Sequence, residues 1–122
     1  MKFHITKAEG RNLFTGYGDG YVAINDQRFE HPVVVAPQHP VQPWDAPAFD
    51  DLTAAHFTAL LDLKPEIIVF GSGARLRFPR PEITRALASA AVGFEAMDTK
   101  AACRTYNILM AEGRQVLAAI LI

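Results

Sequence analysis

A chain of 122 residues, half of them hydrophobic and a fifth charged, is the size of one ordinary domain, expected to span 1–122, and can bury a core without disulfides or metals. Its formal net charge of −1 leaves no basic excess to hold a phosphate backbone, which argues against nucleic acid as the main partner. Its single cysteine, Cys103, suits a reducing compartment; residues 1–14 lack a signal peptide's apolar core, and no apolar run approaches the roughly 18 residues a membrane helix needs. A cytoplasmic protein that does not span a membrane is expected.

Residues 1–35 read as β. Phe3-His4-Ile5-Thr6 is a strand, followed by a turn-rich stretch carrying Gly16, Gly18 and Gly20. Tyr21 to Ile24 and Arg28 to Glu30 then form a hairpin about Asn25-Asp26-Gln27, where Asn and Asp tolerate left-handed geometry. Val33-Val34-Val35 is short and wholly apolar, as a buried strand would be. Pro37, Pro40, Pro43 and Pro47 surround Trp44, and proline lacks the amide that sheets require, so this segment is expected to be an ordered loop.

Helices follow. Thr53 is the expected N-cap of the first, with Leu52 set to pack on Phe57, and Phe57, Leu60 and Leu61 on its apolar face. Asp50-Asp51 just before it suits the positive end of the helix dipole. Residues 66–70 form a strand that breaks into Gly71-Ser72-Gly73. Pro81 opens a second helix, with Ile83, Leu87 and Ala90 or Ala91 facing inward. Gly93 is its expected C-cap, ahead of a short strand from Phe94 to Met97. Asp98 or Thr99 caps a third helix that Gly113 ends. Residues 114–122, RQVLAAILI, have no polar face and read as a central strand covered on both sides. The alternation of strands and helices argues an α/β three-layer sandwich with a β-rich N-terminal hairpin region.

Candidate site residues gather where strands end and helices begin, the edge at which open α/β sheets bind ligands. Gly71-Ser72-Gly73 could bring backbone amides to an anion, or could be a tight turn needing unusual backbone angles. It is no dinucleotide fingerprint: Leu76 stands where a third glycine belongs, and prolines delay the helix. Arg75, Arg77 and the neighbouring Arg80 could clamp a carboxylate or phosphate, or could simply be solvated charges on an extended segment. On the third helix Thr99, Cys103, Tyr106 and Met110 share one stripe, which makes Cys103 a buried thiol rather than a nucleophile. Beside that stripe Arg104, Asn107 and Asp98 could line a polar pocket or satisfy an internal network. Among them only Asp98 could serve as an acid or base, so no catalytic acid–base pair forms. His4, His31, His39 and His56 lack ligand spacing, so neither a metal nor a cofactor is expected. Trp44 is a candidate partner anchor, or else the plug that pins its loop.

The runs PEIIVFGSG at 65–73, MDTKAACRTYNIL at 97–109 and EGR at 112–114, followed by an apolar strand, resemble a small domain-of-unknown-function family of bacteria and archaea. That family includes the mitochondrial complex I assembly factor 3 and the adipogenesis-associated domain protein. The resemblance covers essentially the whole chain. It implies a mixed five-stranded central sheet whose last strand runs antiparallel to the rest, and no established catalytic residues. It also implies a non-enzymatic binding module that assists assembly of a larger, membrane-associated respiratory complex through a protein partner. The alternative is a small-anion or metabolite site, with or without catalysis, in the strand-end crevice formed by Gly71, Ser72, Gly73, Arg75, Arg77, Asp98, Thr99, Arg104 and Asn107.

Overall fold

A computed structural model describes residues 10–46 and 48–122; the strand expected at residues 3–6, and His4 with it, lie outside the described residues. The described residues form two sheets. A three-stranded antiparallel sheet joins β1 (Phe14–Gly18), β2 (Tyr21–Ile24) and β3 (Gln27–Phe29). The second sheet has five strands in the order β5-β4-β8-β6-β7, built from β4 (Val33–Val35), β5 (Gln42–Pro43), β6 (Ile67–Gly71), β7 (Gly93–Met97) and β8 (Val116–Ile120).

Of the glycine-bearing stretch, Gly16 and Gly18 lie in strand β1, and the expected turn is confined to Asp19 and Gly20, the latter at φ 78°. Gly18 leaves room for the Tyr21 ring, whose Cζ would lie 2.8 Å from a Cβ there, so a larger residue would have to push that ring aside. The expected hairpin turn follows, one residue shorter: Asn25 and Asp26 have φ of 51° and 66°, the two left-handed residues of a tight hairpin turn, while Gln27 already pairs with Ile24 and the strand ends at Phe29. The proline loop contributes more than expected. Its Gln42 and Pro43 form the two-residue edge strand β5 against Val34 and Val33, and an edge is where a sheet tolerates proline.

The terminal strand corrects the direction implied by resemblance. β8 runs parallel to β6 in register from Ile67↔Val116 to Gly71↔Ile120, and β6 runs parallel to β7. The strand opposed to them is β4, antiparallel to β8. The connections explain this. Helix α2 (Pro81–Ser89) links β6 to β7, and α3 (Thr99–Ala111) links β7 to β8. A strand–helix–strand crossover returns the chain in the same direction. Because the two crossovers move opposite ways along the sheet, the right-handed rule sends α2 and α3 to opposite faces.

Alternation along the central strands builds a core on each face. Val33, Val35, Val69, Val116, Ala118 and Ile120 pack with Ala102, Cys103, Tyr106 and Met110 of α3 and with Phe14, Tyr17, Val22 and Ile24 of the small sheet. Val34, Ile68, Phe70, Leu117 and Ala119 face the other way, onto Trp44, Leu52, Phe57, Leu60 and Leu87. The chain is therefore a three-layer α/β structure with a mixed five-stranded sheet at its centre.

Helix ends follow local chemistry with two adjustments. α1 (Ala54–Thr58) continues as a 3-10 turn over Ala59–Leu63 and stops at left-handed Lys64. Thr53 precedes it, its amide donating to His56 Nδ1 at 2.9 Å. α2 does not end on Gly93, which opens β7. Its left-handed residue is Ala91, φ 59°, with Val92 N–H bonded to Leu87 C=O at 2.9 Å, the long bond of a Schellman ending. Gly113 ends α3 the same way, with φ 81°.

Candidate functional site

The C-terminal ends of β6 and β7 meet the start of α3. Gly71 is the close-approach residue: a Cβ there would stand 2.9 Å from Thr99 Oγ1 and 3.2 Å from the Thr99 Cα. Glycine thus lets the first turn of α3 sit against β6. Gly73, at φ 102°, donates its amide to Thr99 Oγ1 at 2.9 Å, and its carbonyl accepts from Thr99 N at 2.9 Å. Thr99 Oγ1 in turn donates to Leu121 C=O at 2.6 Å. Buried Ser72 places Oγ 2.7 Å from Arg75 C=O and 3.1 Å from Met97 C=O while accepting from Arg77 N–H. Asp98 Oδ1 caps α3 through Ala101 N–H at 2.9 Å. Gly71, Ser72, Gly73, Asp98 and Thr99 are thus brought together, and their side-chain polar groups are largely taken up by neighbouring backbone groups.

The other candidates are not gathered there. Asn107 is buried and grips the backbone of Phe14, accepting from its N–H at 2.9 Å and donating to its C=O at 2.8 Å. Arg104 Nη1 donates to the Tyr17 hydroxyl at 2.7 Å. These two residues tie α3 to the small sheet. Arg75 is exposed, whereas Arg77 lies with its guanidinium carbon 4.5 Å from the Phe49 ring centroid and Nη1 3.9 Å from Asp50. Asp50 belongs to a 3-10 turn over Phe49–Asp51, ahead of α1. Trp44 is not an exposed anchor: it is buried, donates Nε1–H to His56 C=O at 3.3 Å, and stacks edgewise on Phe57 and Phe70. It plugs its loop against the sheet.

Concavities among the described residues flank these elements. A crevice of about 150 Å³ lies between the β1–β2 turn, Gly18 to Tyr21, and Gly73, Ala74, Thr99 and Lys100. Lys100 Nζ approaches Asp19 across it at 3.6 Å. A larger cleft of about 490 Å³ opens beside β5, with Val34, Trp44, Leu60 and Leu63 in its lining and Asp45, His56 and Asp62 among its polar residues. No periodicity pointed to either, since each joins segments distant in sequence. Among the described residues no group of three or more His, Cys, Asp or Glu is placed to hold a metal ion, and no helix is long and apolar enough to cross a membrane.

Cys103 is fully buried, and burial, only partly opposed by the Arg104 charge, pushes its thiol from the ordinary value of 9.0 up to about 12. Burial raises the Tyr106 phenol as well. A folded pKa raised above the unfolded one gives stability that is complete below the unfolded value and drains as pH rises through the folded value. Between pH 9 and about 12 the thiol should therefore lower stability by up to about 1.4 kcal/mol per pH unit. At pH 8 Cys103 should resist a thiol reagent in the native state and react once denatured. Native labelling as fast as that of the denatured chain would contradict its burial.

Comparison with known proteins places this architecture. A crystal structure of a Bordetella parapertussis protein superimposes with a TM-score of 0.88 at 46% identity, covering 94% of this chain and 98% of that one. The bovine NADH dehydrogenase [ubiquinone] 1 alpha subcomplex assembly factor 3 is 36% identical over 104 residues, 84% of this chain and 55% of its own length. The 13 kDa major membrane protein of Francisella tularensis is 29% identical over 99% of both chains. This chain thus spans about half the length of the bovine assembly factor. Residues 14–121 match the family described as "Protein of unknown function (DUF498/DUF598)", and the chain belongs to that family.

Proposed function

We propose that this chain is a non-enzymatic binding module, working as one domain in the cytoplasm, that assists assembly of a membrane-associated respiratory complex through a protein partner. The observation that carries the reading is the 36% identity, over 84% of this chain, with a protein named as an NADH dehydrogenase assembly factor. The strand-end network agrees with it. Ser72, Gly73 and Thr99 spend their polar groups on one another and on nearby carbonyls, which suits a braced scaffold better than a reacting centre.

Deleting the gene from its source cell should reduce the assembled membrane NADH dehydrogenase seen on native gels and leave subassemblies, with recovery when the chain is restored. Unchanged complex in the deletion strain would remove the proposal's basis. The alternative, a small anion or metabolite in the strand-end crevice, is favoured by one observation, the placement of Lys100 and Thr99 in its wall.

A further inference from the structure

Among the described residues three large apolar side chains are strongly exposed: Leu76 at 51%, Phe78 at 69% and Ile108 at 60%. Two of them stand two residues apart on one connection, Ala74-Arg75-Leu76-Arg77-Phe78-Pro79-Arg80, which has three arginines and no acid in a chain of net charge −1. The exposure is not a product of slack. Ser72 Oγ holds the start through Arg75 C=O and Arg77 N–H, Pro79 is buried, and Pro81 opens α2. The loop is thus braced at both ends while its apolar side chains remain in water.

The arginines divide their work. Arg77 braces the loop over Phe49, and its Nε is the buried side-chain nitrogen left without a hydrogen-bond partner among the described residues. Arg75 and Arg80 are exposed and form no ion pair with a described residue. Neither Leu76 nor Phe78 lines the two clefts described above.

We infer that residues 74–80 are a membrane-docking loop, which sets Leu76 and Phe78 into the interface of an anionic lipid bilayer while Arg75 and Arg80 meet its phosphates. A bilayer surface accepts both halves of this chemistry at once: apolar tips beneath the headgroups, and guanidinium groups at phosphate level on flexible stems. An acidic peptide would satisfy the arginines but leave the two apolar tips to find a pocket of their own. The docking is weak and reversible, as two side chains and a few charges allow. It does not rest on the assembly reading, because vesicles of pure lipid test it without any respiratory complex.

The experiment is cosedimentation of the purified chain with phosphatidylglycerol/phosphatidylethanolamine vesicles, with phosphatidylcholine vesicles alongside. Binding is expected to the first only, and to fall with added salt. Arg75→Gln and Arg80→Gln should each weaken the apparent partition about fivefold, and Phe78→Ser about tenfold. Ile108→Ser, equally exposed but on α3, should leave it unchanged. All four replace exposed side chains, so unaltered thermal melting shows that the fold is intact. A Phe78→Trp variant adds a direct reading, a blue shift on vesicles that soluble glycerophosphate does not produce. No sedimentation with the anionic vesicles at low salt overturns the inference. So does binding that survives in Phe78→Ser and the two arginine variants, and so does capture of the loop by polyglutamate in place of vesicles.

Discussion

Replacing Phe70 by alanine should cost about 4 kcal/mol of stability and lower Tm by about 15 °C. Phe70 sits in β6, at the centre of the face that carries α1 and α2, and is fully buried. Its ring stacks on Phe94 with centroids 6.1 Å apart and meets Phe57, Trp44 and Phe49 at 5.6, 6.1 and 6.2 Å. Those four rings come from β7, α1, the proline loop and the 3-10 turn before α1. Removing the central ring opens a cavity that none of them can fill without leaving its own element, because each is already packed on others. Phe70→Leu keeps much of the volume and should cost well under half as much. Urea denaturation of both variants measures the difference. A loss below about 1 kcal/mol in the alanine variant would mean that the cluster is loosely packed.

Asn107→Leu should destabilise by about 3 kcal/mol although it makes the core more apolar. The side-chain amide of Asn107 does for Phe14 what a neighbouring strand would do, pairing with both its N–H and its C=O. Leucine leaves both backbone groups buried and unpaired, at about 1–3 kcal/mol apiece, with some recovery from its own burial. Asn107→Asp keeps the acceptor for Phe14 N–H but sets a carboxylate oxygen against Phe14 C=O, so it should also be destabilised near neutral pH. Amide exchange distinguishes a local effect from a general one. The Phe14 amide should exchange faster in both variants, together with β1 and β2, before the Ile68 and Leu117 amides of the central sheet do. Protection of Phe14 unchanged in the leucine variant would contradict the role given to Asn107.

Much of the fold was legible because it is written in local patterns. The wholly apolar Val33–Val35 and the unbroken apolar run of residues 116–122 announced covered strands, and Pro81, Asp98 and Gly113 stand at helix ends for reasons internal to one turn. The stripe of Thr99, Cys103, Tyr106 and Met110 is buried as its spacing predicted. The direction of β8 was misjudged because it came from resemblance alone, although the helix between β7 and β8 already argued for a parallel return. Gly93 attracted the C-cap assignment that Ala91 holds, since alanine gives no local sign of a left-handed backbone. The site was less legible for a further reason. Arg104 and Asn107 face partners 87 and 93 residues away, and Trp44 meets Phe70 across a sheet that no window of sequence contains.

The strand order has a consequence for how the chain is made. β8 lies between β4 and β6, so the two parts of the central sheet synthesised earlier share no ladder until residues 116–120 arrive. A ribosome-bound chain lacking them can form the β1–β3 hairpins and the β6–α2–β7 unit, but not the joint between β4 and β6. Contacts of such long sequence separation form late, and until then the faces meant for β8 stay open to other surfaces. Nascent chains stalled before residue 116 should therefore be protease-sensitive and chaperone-bound. Those extended past residue 122 far enough to clear the exit tunnel should close in a single step.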